Sequence, residues 1–262
     1  MPNNTDTIVL KNGKIYFASD FHLGIPDYES SLQREKKIVS WLEMVSEDAS
    51  EIFLMGDVFD FWFEYKTVVP KGYVRLLGKI AELTDKGIKI HLFRGNHDIW
   101  AFDYLEREAG VQLHRRPAFI EFGGKKFYLA HGDGLGPGDN GYKFLKKVFE
   151  FRPNQFLFKW LHPDIGARMG LYFSHKSRLA NLSKEGKKEN GTKPEEEMLY
   201  QYALRKIEEH PELDYLVFGH RHVPIQMMLN EKAELFILGD WISHFSYAVF
   251  EDGKMFLKFF KE

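Results

Sequence analysis

Short apolar runs of strand length recur along the chain, and each stops abruptly at Gly, Asp, Asn or His. Lys14 to Ser19, Ile52 to Met55, Lys89 to Phe93, Lys126 to Ala130 and Tyr215 to Phe218 predict five strands. Between them the period lengthens. Ser31 to Val45 carries Leu32, Ile38, Val39, Leu42 and Val45, and Val74 to Thr84 carries Val74, Leu76, Leu77, Ile80, Ala81 and Leu83, so both predict helices with one apolar face. Gly87 and Gly110 stand where helices should stop. Near the end, Ala233 to Leu238, Ser243 to Phe250 and Met255 to Phe260 predict a β-meander, the last two strands joined by Glu251-Asp252-Gly253-Lys254. This β/α alternation predicts an α/β fold of two packed sheets with helices outside, an αββα sandwich. It is interrupted once, from 135 to 193, which predicts a single domain over 1–262 with a helical cap inserted at 135–193. No internal repeat is present.

The residues at the strand ends form an ordered series: Asp20-Phe21-His22, Gly56-Asp57, Gly95-Asn96-His97-Asp98, His131-Gly132-Asp133 and Gly219-His220-Arg221-His222. If the strands lie side by side, these clusters meet at one edge of the core. Carboxylate, amide oxygen and imidazole are donors for Mn²⁺, Fe²⁺ or Zn²⁺, and the chain has no Cys to add thiolate. Asp20 with His22, and His220 with His222, are i, i+2 pairs, which an extended chain would point to the same side. Asp57 is placed to bridge two ions. Two cations about 3.5–4 Å apart can activate water and clamp phosphate oxygens, so hydrolysis of a phosphoester is the reaction this donor set suits.

Any one such cluster is ordinarily a turn or a helix cap; five in order make a site. Of eleven His, five lie in the clusters; His91, His114, His162, His175, His210 and His244 have no ligand-like neighbours and read as structural or surface residues. His244, just after Gly239-Asp240-Trp241, is the one placed to support a ligand from behind.

Composition narrows the class. A chain of 262 residues with 44% hydrophobic and 16% aromatic residues can bury a substantial core. The net charge of −2 selects no partner. The absence of Cys excludes disulfides and thiolate catalysis, and fits a reducing compartment. Met1 to Asp6 is polar and shows no signal-like stretch, and no run of about 20 apolar residues could span a bilayer.

The ordered series resembles that of the calcineurin-type metallophosphoesterases. The resemblance implies Asp20, His22, Asp57 and His222 around one metal, and Asp57, Asn96, His131 and His220 around the other. It implies that His97 binds the phosphate together with Asn96 and protonates the leaving oxygen, and that Asp98 orients the His97 imidazole. A related hypothesis of another class, a scaffold that keeps the fold without catalysis, would ordinarily show lost ligands, and all seven are present.

The interruption differs in character from the rest. Residues 141–190 hold eleven Lys and Arg against four Asp and Glu, interleaved with Tyr142, Phe144, Phe149, Phe151, Phe156, Phe158, Trp160, Tyr172 and Phe173. Three readings stand: plain capping helices packed on the core, a single-strand nucleic-acid site, or a surface for lipid headgroups and apolar chains. The apolar content and the confinement of charge to the cap favour the last, so no nucleic-acid partner is expected. Gly136-Pro137-Gly138-Asp139-Asn140-Gly141 matches G-x-G-x-x-G formally, but it follows the His131-Gly-Asp133 motif and lacks the βαβ context of a dinucleotide site.

The cap extends the resemblance. His131-Gly-Asp133-x-Leu135-x-x-x-Asp139-x-x-Tyr142, Ser177-Arg178-x-Ala180-Asn181-x-Ser183-Lys184 and Gly56-Asp57-x-Phe59-Asp60-x-Trp62 are similar to motifs of the UDP-2,3-diacylglucosamine hydrolases of lipid A biosynthesis. That similarity implies cleavage of the pyrophosphate, with water attacking the α-phosphorus, to give UMP and 2,3-diacylglucosamine 1-phosphate. It implies two divalent ions, Mn²⁺ first with Fe²⁺ or Zn²⁺ also suited, and a peripheral protein at the cytoplasmic face of the inner membrane. Asp139, Tyr142, Ser177, Asn181 and Lys184 would hold the sugar phosphate and acyl amides, with the cap lining an acyl cavity. Two positions depart, since the best-known members carry Arg where this chain has His97 and Ser174; Tyr65 to Lys71 also departs from their acidic stretch. A phosphodiesterase or nuclease of the same superfamily is the alternative.

Overall fold

The computed structural model describes residues 8–9, 13–136, 140–185 and 198–261, with the backbone alone at 8–9 and 176–185. In chain order the elements are β1 (Ile8–Val9), β2 (Lys14–Ala18), α1 (Tyr28–Val45), β3 (Ala49–Leu54), α2 (Val74–Asp85), β4 (Lys89–Phe93), α3 (Tyr104–Ala109), β5 (Gln112–His114), β6 (Ala118–Phe122) and β7 (Lys125–Ala130). There follow α4 (Asn140–Glu150), α5 (Arg152–Phe158), α6 (Pro163–Glu185), α7 (Met198–Glu209), β8 (Tyr215–Phe218), β9 (Pro224–Met228), β10 (Glu234–Leu238), β11 (Ser246–Glu251) and β12 (Lys254–Phe259). They build two six-stranded sheets, β1-β6-β7-β8-β10-β9 and β12-β11-β2-β3-β4-β5.

Alternation along each strand sorts its side chains into layers. Phe17, Phe53, Phe93, Phe127, Val217, Phe236 and Phe250 meet between the sheets. Their neighbours Tyr16, Ala18, Leu54, Leu92 and Val249 face Ile38, Trp41 and Leu42 of α1, Leu76 and Ile80 of α2, and Leu105 of α3. On the far side Tyr128, Leu216, Phe218, Leu235 and Ile237 pack on Leu199, Ala203 and Ile207 of α7. The αββα sandwich is therefore present, and its strands read as nearly unbroken apolar runs because both faces are covered.

Helix termini are fixed by carboxylates. Asp27 caps α1 through Ser30 N at 2.8 Å. α2 has no cap of its own, since Tyr73 is left-handed; instead the buried Glu35 of α1 accepts from Arg75 N at 2.8 Å and Leu76 N at 3.1 Å. Gly110, with φ +70°, closes α3 as the sequence predicts.

Two features differ from the sequence expectation. β10 does not continue into a meander with β11 and β12: it pairs parallel to β8 and antiparallel to β9, while β11 pairs with β2 in the other sheet. The chain changes sheets at 239–245, and apolar strands of the two sheets look alike in sequence. β5, β6 and β9 are not among the strands the apolar runs predict, and of α3 only the stop at Gly110 is. His91 and His114 are structural, in a chain across three strands: His91 Nε2 lies 2.6 Å from Glu51 Oε2, and His91 Nδ1 lies 2.9 Å from His114 Nε2.

Candidate active site

β2, β3 and β4 run parallel in one sheet and β7, β8 and β10 in the other, so the segments after all six emerge at one edge of the sandwich. Backbone bonds tie the edge together: Asp20 N donates to Gly56 O at 3.0 Å, His22 N to Asp57 O at 2.9 Å, and Gly219 N to His131 O at 2.8 Å. Asp20 joins the sheets, its Oδ2 accepting from His220 N at 2.9 Å and its carbonyl from Trp241 N at 3.1 Å. Gly95 permits this closeness, because a Cβ there would overlap the Asp57 carboxylate.

The side chains fall into two adjoining groups, Asp20-His22-His222 and Asp57-His131-His220, with donor atoms in each within 4.8 Å of one another. Asp57 Oδ2 stands between the groups, 3.7 Å from His22 Nε2 and 3.2 Å from His131 Nε2. Asn96 Oδ1 lies 3.4 Å from His131 Nε2. The structure thus brings together all seven residues expected as ligands. The local geometry is not the extended one foreseen. Asp20, His22, Asp57 and His220 have φ of 58°, 44°, 52° and 66°, left-handed values that non-glycine residues rarely adopt, so tight turns rather than alternation aim these side chains.

Three of the four imidazoles are held from behind. His22 Nδ1 meets Asp60 Oδ1 at 3.2 Å, His131 Nδ1 meets Met55 O at 2.8 Å, and His222 Nδ1 meets Asp240 Oδ2 at 3.3 Å, leaving each Nε2 for the site. Asp240 also accepts from Ser243 N and His244 N and lies 3.2 Å from His244 Nδ1, so the place behind His222 expected of His244 is taken by Asp240, and His244 reaches the site only through it. Asp60 and Asp240 were missed as site residues. A signal existed for Asp240, because Gly239-Asp240 follows a strand in the same way as Gly56-Asp57.

The site fits cations on two counts. Asp20 Oδ1 and His22 Nε2 are buried without a hydrogen-bond partner, a costly arrangement unless something else satisfies both. The electrostatics ask for positive charge: burial opposes protonation, yet Asp20 and Asp60 lift His22 to about 9 and Asp57 lifts His131 to about 10. Burial opposes ionisation of Asp57 too, but the surrounding imidazoles hold it well below the usual carboxylate range. Burial and the neighbouring His131 push His220 down to about 4, the neutral state a ligand needs.

Asp98 does not touch the His97 ring. Its oxygens accept from Gly95 N at 2.6 Å and Val58 N at 2.8 Å, pinning two loops together, and burial with the Asp57 charge raises its carboxyl to about 6. The His97 ring is instead held by Asp60 and Ser174: Nδ1 lies 3.0 Å from Asp60 O and 2.9 Å from Ser174 Oγ. Burial pushes this imidazole below its ordinary value. The Tyr142 hydroxyl donates to Asp133 Oδ2 at 2.6 Å, beside Lys146 Nζ at 2.7 Å, and so anchors α4 to the 131–133 turn. Asp139 and the side chains of Ser177, Asn181 and Lys184 lie outside the described residues.

Comparison with known proteins identifies the family. The profile of the calcineurin-like phosphoesterase family matches residues 13–224, and the chain belongs to that family. Among curated proteins it is 39% identical over 256 residues to a UDP-2,3-diacylglucosamine hydrolase of Porphyromonas gingivalis, covering 94% of this chain and 97% of the relative. A protein of the same name from Aeromonas salmonicida is 25% identical over 92% of this chain and 91% of its own length. A dimetal phosphatase from Danio rerio is a structural neighbour at a TM-score of 0.45 and 13% identity, covering 94% of this chain and 95% of its own.

Proposed function

We propose that this chain hydrolyses the pyrophosphate of UDP-2,3-diacylglucosamine, giving UMP and 2,3-diacylglucosamine 1-phosphate in lipid A biosynthesis. The observation that carries it is a two-group carboxylate and imidazole site placed beside helices that leave large apolar side chains in solvent. Phe144 is 69% and Trp160 78% exposed, with Phe151, Phe156, Leu157, Tyr172 and Phe173 also outward. Such a surface is unusual for a cap that only packs on its core, and it suits acyl chains or a bilayer interface. The near full-length relative in Porphyromonas gingivalis supports the same substrate.

In this reading Asp20, His22, Asp57 and His222 would hold one divalent ion and Asp57, Asn96, His131 and His220 the other, with Mn²⁺ the first choice. The pair, when bound, lowers the pKa of water and neutralises phosphate oxygens. The chain's residues do the rest. Asn96 and His97 orient the phosphate, whose negative charge favours the His97 imidazolium; that ring keeps its Nδ1 proton towards Asp60 and Ser174 and gives the one on Nε2 to the leaving oxygen, ending neutral. α4 to α6 act as the cap, and the motif similarity assigns Asp139, Tyr142, Ser177, Asn181 and Lys184 to recognition of the sugar phosphate and acyl amides. No described helix is long and apolar enough to cross a membrane, and a peripheral place on the cytoplasmic face of the inner membrane fits the outward aromatics.

The test is Mn²⁺-dependent release of UMP from UDP-2,3-diacylglucosamine beside bis-nitrophenyl phosphate, with Asp57→Ala as blank. Turnover at least about 100-fold more efficient on the lipid is expected. Turnover of the simple diester alone would assign a different phosphoester substrate to the same centre.

A further inference from the structure

α6 rests on the segment that follows Asp57, and the contact is made by three residues spaced one turn apart, Gly166, Gly170 and Ser174. A Cβ at Gly166 would overlap Tyr65 Oη, and one at Gly170 would overlap the Phe61 ring. The helix backbone therefore comes down onto 61–65. One turn further on, Ser174, only 7% exposed, reaches the site.

Its contacts there determine a proton position. The Ser174 hydroxyl donates to Asp60 Oδ2 at 2.6 Å, and Oγ lies 2.9 Å from His97 Nδ1. A hydroxyl has one proton, and here the carboxylate takes it, so Oγ faces Nδ1 as an acceptor. The Asp60 carbonyl, 3.0 Å from the same nitrogen, can only accept as well. Both contacts require the proton on Nδ1 and leave Nε2 to whatever enters the site. The ring stands edge-on to His22 with centroids 4.8 Å apart, and 11% of its side chain is exposed.

We propose that Ser174 is a positioning residue for His97: carried in by the small face of α6, it fixes the tautomer and rotation of the imidazole. Seating of α6 and readiness of the site become one event. The inference rests on the phosphohydrolase reading only in that His97 faces the substrate. The competing role for Ser174 is to serve Asp60 and, through it, His22 Nδ1, 3.2 Å from Asp60 Oδ1. That role would show as weakened metal binding.

The experiment compares Ser174→Ala, Ser174→Thr, His97→Ala and the double variant His97→Ala/Ser174→Ala in the full chain. It reads kcat and KM on bis-nitrophenyl phosphate and on the lipid substrate, bound Mn²⁺, and the imidazole ¹⁵N–¹H correlations of His97. Ser174→Ala is expected to lower kcat about tenfold with KM within about twofold. Bound Mn²⁺ should be unchanged, Ser174→Thr should keep most activity, and Ser174→Ala should add nothing in the His97→Ala background. The Nδ1–H signal of His97, assigned by its loss in His97→Ala, should weaken or disappear in Ser174→Ala. Multiplicative losses in the double variant, weaker Mn²⁺ binding, or an intact Nδ1–H signal in Ser174→Ala would overturn the inference. If neither substrate is turned over the phosphohydrolase reading fails, while the imidazole signal still decides the role of Ser174. Should Ser174→Ala not fold, Ser174→Cys, close in shape but a weak hydrogen-bonding group, carries the same comparison.

Discussion

His97 shows how a single side chain divides the work of this site. Its Nδ1 is committed to Asp60 and Ser174, so the chemistry left to it is at Nε2. A phosphate monoester is already a good leaving group, whereas an alkoxide needs a proton. His97→Ala should therefore cost about 10-fold on the pyrophosphate and about 100- to 1000-fold on an alkyl phosphodiester. Equal losses on the two substrates, in parallel kcat measurements with Mn²⁺ held constant, would remove the acid role. The residues that meet at the strand ends were legible in the sequence because Asp, Asn and His directly after apolar runs have few structural uses in such number. The partners of His97 were not legible. Asp98 is its sequence neighbour, but Asp60 and Ser174 reach it from 37 and 77 positions away, through a helix seated on glycines.

At the level of elements, three neighbouring strands hold a titratable chain of their own. Burial and the adjacent His91 push His114 down to about 4, against about 6.5 in an unfolded chain. Between those values the unfolded state binds a proton that the folded state refuses. Stability contributed by the neutral ring is complete above about 6.5 and is lost as pH falls towards about 4. His114→Gln, which can keep the bond to His91, should flatten the dependence of urea midpoint on pH across that window. An unchanged slope would place the acid sensitivity in other groups. Helices α1 and α2 and the five apolar runs that end at the Asp and His clusters were readable from period alone. β5, with three residues, and the partner sheet of β10 were not, since pairing across a sandwich depends on connections rather than on the apolar pattern.

For the whole molecule, the αββα architecture followed from β/α alternation and from apolar runs that end at Asp, Asn and His, and it brings those residues to one edge. The outward placing of the aromatics of α4, α5 and the described part of α6 did not follow from period, because such residues look in sequence like core residues. Removing the bound ions should be felt globally. A ligand that binds only the folded state at about 100 times its dissociation constant adds about 2.7 kcal/mol, so chelation should lower Tm measurably in the wild type. In Asp57→Ala, where the shared carboxylate is gone, chelation should shift Tm little; an equal shift in both proteins would place the ions elsewhere.

The carboxylate of Asp20 has one further consequence. It rises from one sheet and receives the backbone amide of His220 from the other, while its own carbonyl receives Trp241 N. The site therefore straddles the seam of the sandwich and works as a calliper across it. Any change that slides one sheet along the other, however distant, alters the gap being gauged. Substitutions among the aromatic rings between the sheets, far from any ligand, should thus register first as altered cation preference, before the fold itself gives way.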